Sequence, residues 1–233
     1  MVPATPQADA GTGTPYSGPP NAAPRARRVR TAPAGGSVTT PSQHLEICRL
    51  TPQRLADFLA FFEGDAFADN PRWASCFCQF LHVDHAKVDW PARTAQENRA
   101  AACARIGERR MQGLLAYRGC KVVGWCNAAP RTMLDAFAGE ADPDFERIGQ
   151  ITCFVVAKAH RRSGVASALL DAACEMLASD GLEIAEATPK AQAESDAMAH
   201  YGPLAMYLAA GFRVHRTESD ATVCVRRRLT PPS

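Results

Sequence analysis

The stretch VVAKAHRRSGVASALL, residues 155–170, joins an apolar run to an alanine-rich amphipathic one through two arginines and a glycine. The run that enters it, QITCFVVAK at 150–158, is apolar without alternation and predicts a central strand buried on both faces. After Gly164, the residues Val165, Leu169, Leu170, Ala173, Cys174 and Leu177 fall on one stripe, which predicts a helix ending near Ser179. A turn at this joint needs only the glycine. Arg161 and Arg162 add positive charge where the first N–H groups of the helix, unpaired and partially positive, point back along its axis. Gly164 lets a bulky anion come close to the backbone. The joint reads either as a phosphate or pyrophosphate site or as an ordinary connection with two solvated arginines. It is not a Walker loop, since no G-K-[ST] follows, and it is not a G-x-G-x-x-G turn.

Outward from the joint, the chain alternates strand and helix signals. HLEICRL at 44–50 suits a short strand. TPQRLADFLAFFEG follows as a helix with Thr51 as its cap and Pro52 in its first turn, and Leu55, Phe58, Leu59 and Phe62 share a face. Residues 63–92 are irregular, and a second helix is predicted at about 94–111. GLLAYRG and KVVGWCNAA form a hairpin turning near Gly119. After the central strand and its helix come the strand LEIAEAT, a long loop, the helix PLAMYLAAG, and the strands FRVHRTE and TVCVRRRL. This order predicts an α+β domain over 44–229: a mixed, mostly antiparallel sheet flanked by helices, with a parallel crossover between 150 and 188.

Residues 1–43 hold eight of the seventeen prolines and little that is able to form a core, so a disordered tail is expected there. Its run RARRVR carries most of the surplus charge. The tail's net charge is +3 and that of the whole chain +2, which leaves the predicted domain about −1 and implies no nucleic-acid partner. No apolar run is long enough to span a membrane, and no membrane partner is expected. Nine cysteines, several in strand-like contexts such as Cys126, Cys153 and Cys224, read as reduced thiols of a cytoplasmic protein rather than a disulfide framework. Homodimerisation stays open.

PRWASCFCQFLHVDH, residues 71–85, offers Cys76, Cys78, His82 and His85 as zinc-type ligands. The spacing departs from a C-x-x-C pair and no second cluster accompanies it, so no metal is expected. The preferred reading is a hydrophobic wall of Trp73, Phe77, Phe80 and Leu81, joined by Trp125 and Asn127, which alternation places on one face of the hairpin strand.

The joint resembles the pyrophosphate loop of the GNAT superfamily of N-acetyltransferases, in which a strand ending in valine is followed by R/Q-x-x-G-x-G/A opening a helix. Here Val156 precedes Arg161-Arg-Ser-Gly164-Val-Ala166. That superfamily usually carries a tyrosine four residues before Gly-Phe, and YLAAGF runs from Tyr207 to Phe212. The element order from 45 to 229 is similar as well. The resemblance implies a GNAT-like fold with a splayed parallel strand pair forming a wedge for acetyl-CoA. It implies direct transfer of an acetyl group to a primary amine of a small molecule or peptide, with acetyl-CoA as co-substrate. Main-chain groups of Phe154, Val155 and Val156 would hold the pantetheine arm and thioester. Those of Arg161, Arg162, Ser163, Gly164, Val165 and Ala166 would hold the pyrophosphate. Tyr207 would protonate the departing thiolate, although an amphipathic helix also accommodates it as a packing residue. Glu186, in the strand opposite Phe154, is the candidate base, with a rim charge as its plainer reading. His200 and Tyr201 lie in the loop before Tyr207 and would line the site. A non-catalytic acyl-CoA-binding module is the alternative function.

Overall fold

The computed structural model describes residues 44–190, 200–219 and 221–231. The expected tail over 1–43 lies outside the described residues, as does most of the long loop before Tyr207. Seven strands form one sheet: β1 (Leu45–Arg49), β2 (Leu114–Arg118), β3 (Lys121–Pro130), β4 (Ile148–Val156), β5 (Ile184–Ala187), β6 (Arg213–Ser219) and β7 (Thr222–Arg228). Their order is β1-β2-β3-β4-β5-β7-β6. Among the seven named strands, β4 and β5 are the pair that runs parallel, across the crossover the sequence predicts. The fold is therefore the expected mixed, mostly antiparallel sheet flanked by helices.

Helices α1 (Leu55–Glu63) and α2 (Ala95–Gly107) cover one face. Phe58, Phe61 and Phe62 of α1 and Ala102 and Ile106 of α2 pack there on Leu115, Trp125 and Val155 of the sheet. A capping box starts α2, with Thr94 and Glu97 satisfying each other's backbone N–H groups. Helices α3 (Val165–Ser179) and α4 (Leu204–Ala209) belong to the other face. The predicted stripe of α3 is buried in full against Cys126, Ile151 and Phe154. Each large apolar side chain so buried contributes about 1.5–3 kcal/mol relative to exposure. Glycines on the sheet set the approach of α3. A Cβ at Gly124 would lie 2.8 Å from Val165, and one at Gly149 would lie 2.7 Å from Leu177.

Residues 63–92, read as irregular, consist largely of short 3-10 turns, among them Pro71–Cys76 and Phe80–His82. Repeated prolines and glycine prevent a longer helix there. The strand predicted at 150–158 begins two residues earlier and ends at Val156. Among the described residues, no helix is long and apolar enough to cross a membrane.

Candidate active site

Strand β5 ends at Ala187, opposite Ile151, while β4 continues to Val156. Among the described residues, the upper half of β4 therefore has no strand partner on its β5 side, and the pairing of the two parallel strands stops there as a wedge. A bulge marks the point of parting: Asn127 pairs with Cys153 and Ala128 with Ile151, which leaves Thr152 as the extra residue. The N–H of Ala157 donates to Val123 O at 3.0 Å. Alternation along the strand then turns the N–H of Val155 toward β3 and those of Phe154 and Val156 into the wedge. Two of the three predicted backbone positions thus face the opening, and Val155 lends its side chain to the α1 side.

The start of α4 and the segment before it lie along this open edge. Phe154 N–H donates to His200 O at 2.5 Å. Tyr207 is fully buried, and its hydroxyl donates to Tyr201 O at 2.7 Å. Its ring meets Phe154 edge-on at 6.3 Å and Phe212 at 5.2 Å. Burial raises the Tyr207 phenol well above its ordinary value, so it carries its proton at neutral pH. The His200 ring packs against Trp73 at 4.3 Å, joining the 71–85 stretch to the wedge. His200, Tyr201 and Tyr207 are thereby brought to one place beside Phe154.

At the joint, Gly164 has φ +82° and an added Cβ would meet no atom within 4 Å. The first turn of α3 has no side-chain cap, so its N–H groups are not satisfied in that way. Arg161 is already engaged within the protein. Its guanidinium makes a two-point pair with Asp69, at 2.6 and 2.9 Å, and its Nε donates to Val156 O at 3.0 Å. This pairing holds the Asp69 carboxyl below its usual range. Arg161 ties the end of β4 to the turn after α1, a role with no signal in the sequence because the partners are 92 residues apart. Arg162 and Ser163 are exposed, and Ser163 Oγ donates to His160 O at 2.6 Å.

Glu186 pairs in register with Gln150, four residues below Phe154 on β4. It is fully buried, and both carboxylate oxygens are engaged: Oε1 by Arg131, Oε2 by Arg226 at 2.5 Å. Arg131 is itself 1% exposed and also donates to Gln150 Oε1 at 2.7 Å. Arg226 further bonds Asp142 and Asp144. The network clamps β5 to β4 and β7 at the closed end of the wedge. Sequence reading missed Arg131 and Arg226, which look like a strand end and one of several surface arginines.

The stretch 71–85 builds part of the α1 side of the wedge. Trp125 Nε1 and Asn127 Nδ2 both donate to Cys78 Sγ, at 3.2 and 3.4 Å, which places them on one face as alternation predicts. His85 turns away, with its Nε2 2.8 Å from Phe80 O. Among the described residues, no group of three or more His, Cys, Asp and Glu is arranged to hold a metal ion. His82 is fully buried, with Nε2 3.3 Å from Asn127 Nδ2. Burial, helped by the Arg105 guanidinium, lowers its pKa to about 4. Since the unfolded value is near 6.5, the unfolded chain binds a proton between these limits and the folded one does not. Stability should therefore fall by about 2 kcal/mol between pH 7.5 and pH 5 through this group. Urea midpoints at the two pH values should show the fall in the native protein, and a smaller one in His82→Gln.

A mixed sheet whose central parallel pair parts beside an uncapped helix N-terminus defines an α+β protein of the acyltransferase type. A sequence model of the acetyltransferase (GNAT) family matches residues 75–202, and the chain belongs to that family. Solved structures share the fold at low identity. An N-acetyltransferase from Staphylococcus aureus Mu50 is 13% identical, with 80% of this chain and 99% of that chain covered and a TM-score of 0.50. A protein described as an acetyltransferase from Acinetobacter baylyi ADP1 is 12% identical over 81% of this chain and 95% of that chain, with a TM-score of 0.51. One described as a GNAT-family acetyltransferase from Desulfovibrio desulfuricans is 15% identical over 80% and 100%, with a TM-score of 0.50. No curated protein sequence matches the chain.

Proposed function

We propose that the protein transfers the acetyl group of acetyl-CoA to the primary amine of a small molecule or peptide, by direct attack of the amine on the thioester. The observation that supports this reading is the edge of β4 beyond Ile151, where pairing with β5 has ended, flanked by the first turn of α3 and the buried Tyr207 hydroxyl. Acetyl-CoA supplies the activated acetyl group. The N–H groups of Phe154 and Val156 would receive the pantetheine arm and thioester carbonyl, once the His200 carbonyl gives up its bond to Phe154. Main-chain N–H groups over 162–166 would bind the pyrophosphate, with Gly164 leaving the room. Arg161 would shape the loop through Asp69 rather than touch the anion. Tyr207 would give its proton to the departing thiolate once its hydroxyl leaves Tyr201 O, and the transfer requires the bound thioester to bring the phenol down from its raised value toward the ordinary thiol pKa of about 8.5. Glu186 is assigned no proton transfer here, because guanidinium groups already hold both of its oxygens.

The reading is tested by thiol release from acetyl-CoA over a broad panel of amines, followed by Tyr207→Phe in single turnover. The variant keeps the ring and should keep its acetyl-CoA-dependent rise in Tm. It should lose about 1 kcal/mol of stability with the bond to Tyr201, and its chemical step should slow about a hundredfold. An unchanged single-turnover rate would return Tyr207 to packing alone. A protein that binds acetyl-CoA but releases thiol with no amine would be a binding module instead.

A further inference from the structure

The thiols on the α1 side of the wedge have no part in the transfer just described. Donors converge on one of them. Cys78 Sγ accepts from Trp125 Nε1 and Asn127 Nδ2, both on β3, and strand register sets Cys153 of β4 directly beside Asn127. The backbone is strained to bring the sulfur there: Phe77 and Cys78 both have left-handed φ, 43° and 56°. The Phe77 ring, stacked on Phe62 at 6.0 Å, anchors that conformation in the core. Asn127 Oδ1, on the same side chain, and Thr152 Oγ1, in the adjoining bulge, are buried and lack a hydrogen-bond partner among the described residues.

We propose that Cys78 and Cys153 are a hydroperoxide-reactive thiol pair whose disulfide seals the α1 side of the wedge. Two N–H donors around one sulfur favour its thiolate. The Cys78 thiol accordingly lies below its usual range, chiefly through the Cys153 contact, with Trp125 and Asn127 adding to it against the effect of burial. Cys153 is driven the other way by the same contact and by burial, so it stands as the protonated partner. Cys76, pushed up to about 12 by burial, is a bystander. Cys78 is buried while Cys76 and Cys153 are half-buried, so a small peroxide would have to reach the pair from their side.

The chemistry balances. The Cys78 sulfur attacks the O–O bond of the hydroperoxide, an S–O bond forms, and the departing oxygen leaves as water or alcohol after taking a proton. The Cys153 sulfur then attacks the resulting sulfenic acid. The S–S bond forms, the S–O bond breaks, and the hydroxide leaves as water with the Cys153 proton. Two thiols lose two electrons, and one peroxide gains them. The disulfide would tie the 71–82 segment, whose Trp73 packs on His200, to β4 next to Phe154. That consequence for turnover rests on the acetyl-transfer reading; the thiol chemistry does not.

The full-length reduced protein is treated with equimolar hydrogen peroxide and digested. The expected product is a Cys78–Cys153 cross-linked peptide, with the intact mass lower by about 2 Da and restored by dithiothreitol. Cys153→Ser should stop at a sulfenic acid on Cys78 that dimedone traps. Should that variant not fold, isotope-coded iodoacetamide on the native protein replaces it: Cys78 and Cys153 should be lost together, about tenfold faster than the exposed Cys120. Oxidation of Cys120 first, or both Cys78 and Cys153 left open to alkylation, overturns the pair. A disulfide-bonded protein that keeps full thiol release from acetyl-CoA overturns the sealing. Reduced protein that releases no thiol with any amine, yet forms the disulfide, sinks the acetyl-transfer reading and upholds the pair.

Discussion

Gly164→Glu should abolish acetyl-CoA binding while leaving the protein folded. Gly164 precedes α3 in the left-handed region, and its Cβ position is open. Any side chain there costs about 1–2 kcal/mol of backbone strain, but none collides with the core. A carboxylate at a helix N-terminus is locally favourable, so the substitution adds no electrostatic cost to the fold. The same carboxylate, however, occupies the ground assigned to the pyrophosphate and repels it. Gly164→Ala separates the two effects, since it carries the strain without the charge. Calorimetric titration with acetyl-CoA should show a loss of at least about a hundredfold for the glutamate and at most about tenfold for the alanine. The acetyl-CoA-dependent rise in Tm should disappear only in the former. A folded glutamate variant with native affinity would move the phosphate site elsewhere.

Glu186→Ala should lower stability by about 3 kcal/mol, because it takes from the buried Arg131 and from Arg226 their nearest fully buried counter-charge. Asp142 and Asp144 still serve Arg226, while Arg131 keeps the neutral Gln150 and, on its other amino group, the more distant Asp142 at 3.4 Å and Glu140 at 3.6 Å. The urea midpoint reads this directly. Glu186→Gln retains the shape and should cost less than the alanine. A simultaneous Arg131→Met with Glu186→Leu should recover much of the loss, since a matched apolar pair leaves no buried charge unpaired. If Glu186→Ala proved as stable as the native protein, the network would not be the clamp that its burial implies.

The parts of the fold that were legible in the sequence are those with local causes. The stripe of α3, the turn at Gly119 and the largely apolar run of β4 each follow from periodicity or turn chemistry within about fifteen residues. The GNAT-like motifs at 156–166 and 207–212 marked the two ends of the wedge for the same reason: each is a short contiguous pattern. Residues 71–85 resisted reading because their cysteines and histidines fit a ligand set and a packed wall equally well as a list of residue types.

The sequence by itself determined where the strands and helices lie, that the chain is an α+β member of its superfamily, and that Gly164 and Tyr207 sit at structural joints. Tertiary structure alone decided which charges and thiols meet. Arg161 looked free to hold an anion until the fold brought Asp69 to it. Glu186 stood in the right strand for a base until register set it beside Gln150 and between Arg131 and Arg226. Cys78 and Cys153 became neighbours only because β4 pairs with β3 and the 71–82 turns pack across both. Periodicity and turn preference act over a few bonds and leave a mark in the chain. Ion pairing and hydrogen bonding act through space between distant residues, and their partners are chosen by strand register and burial.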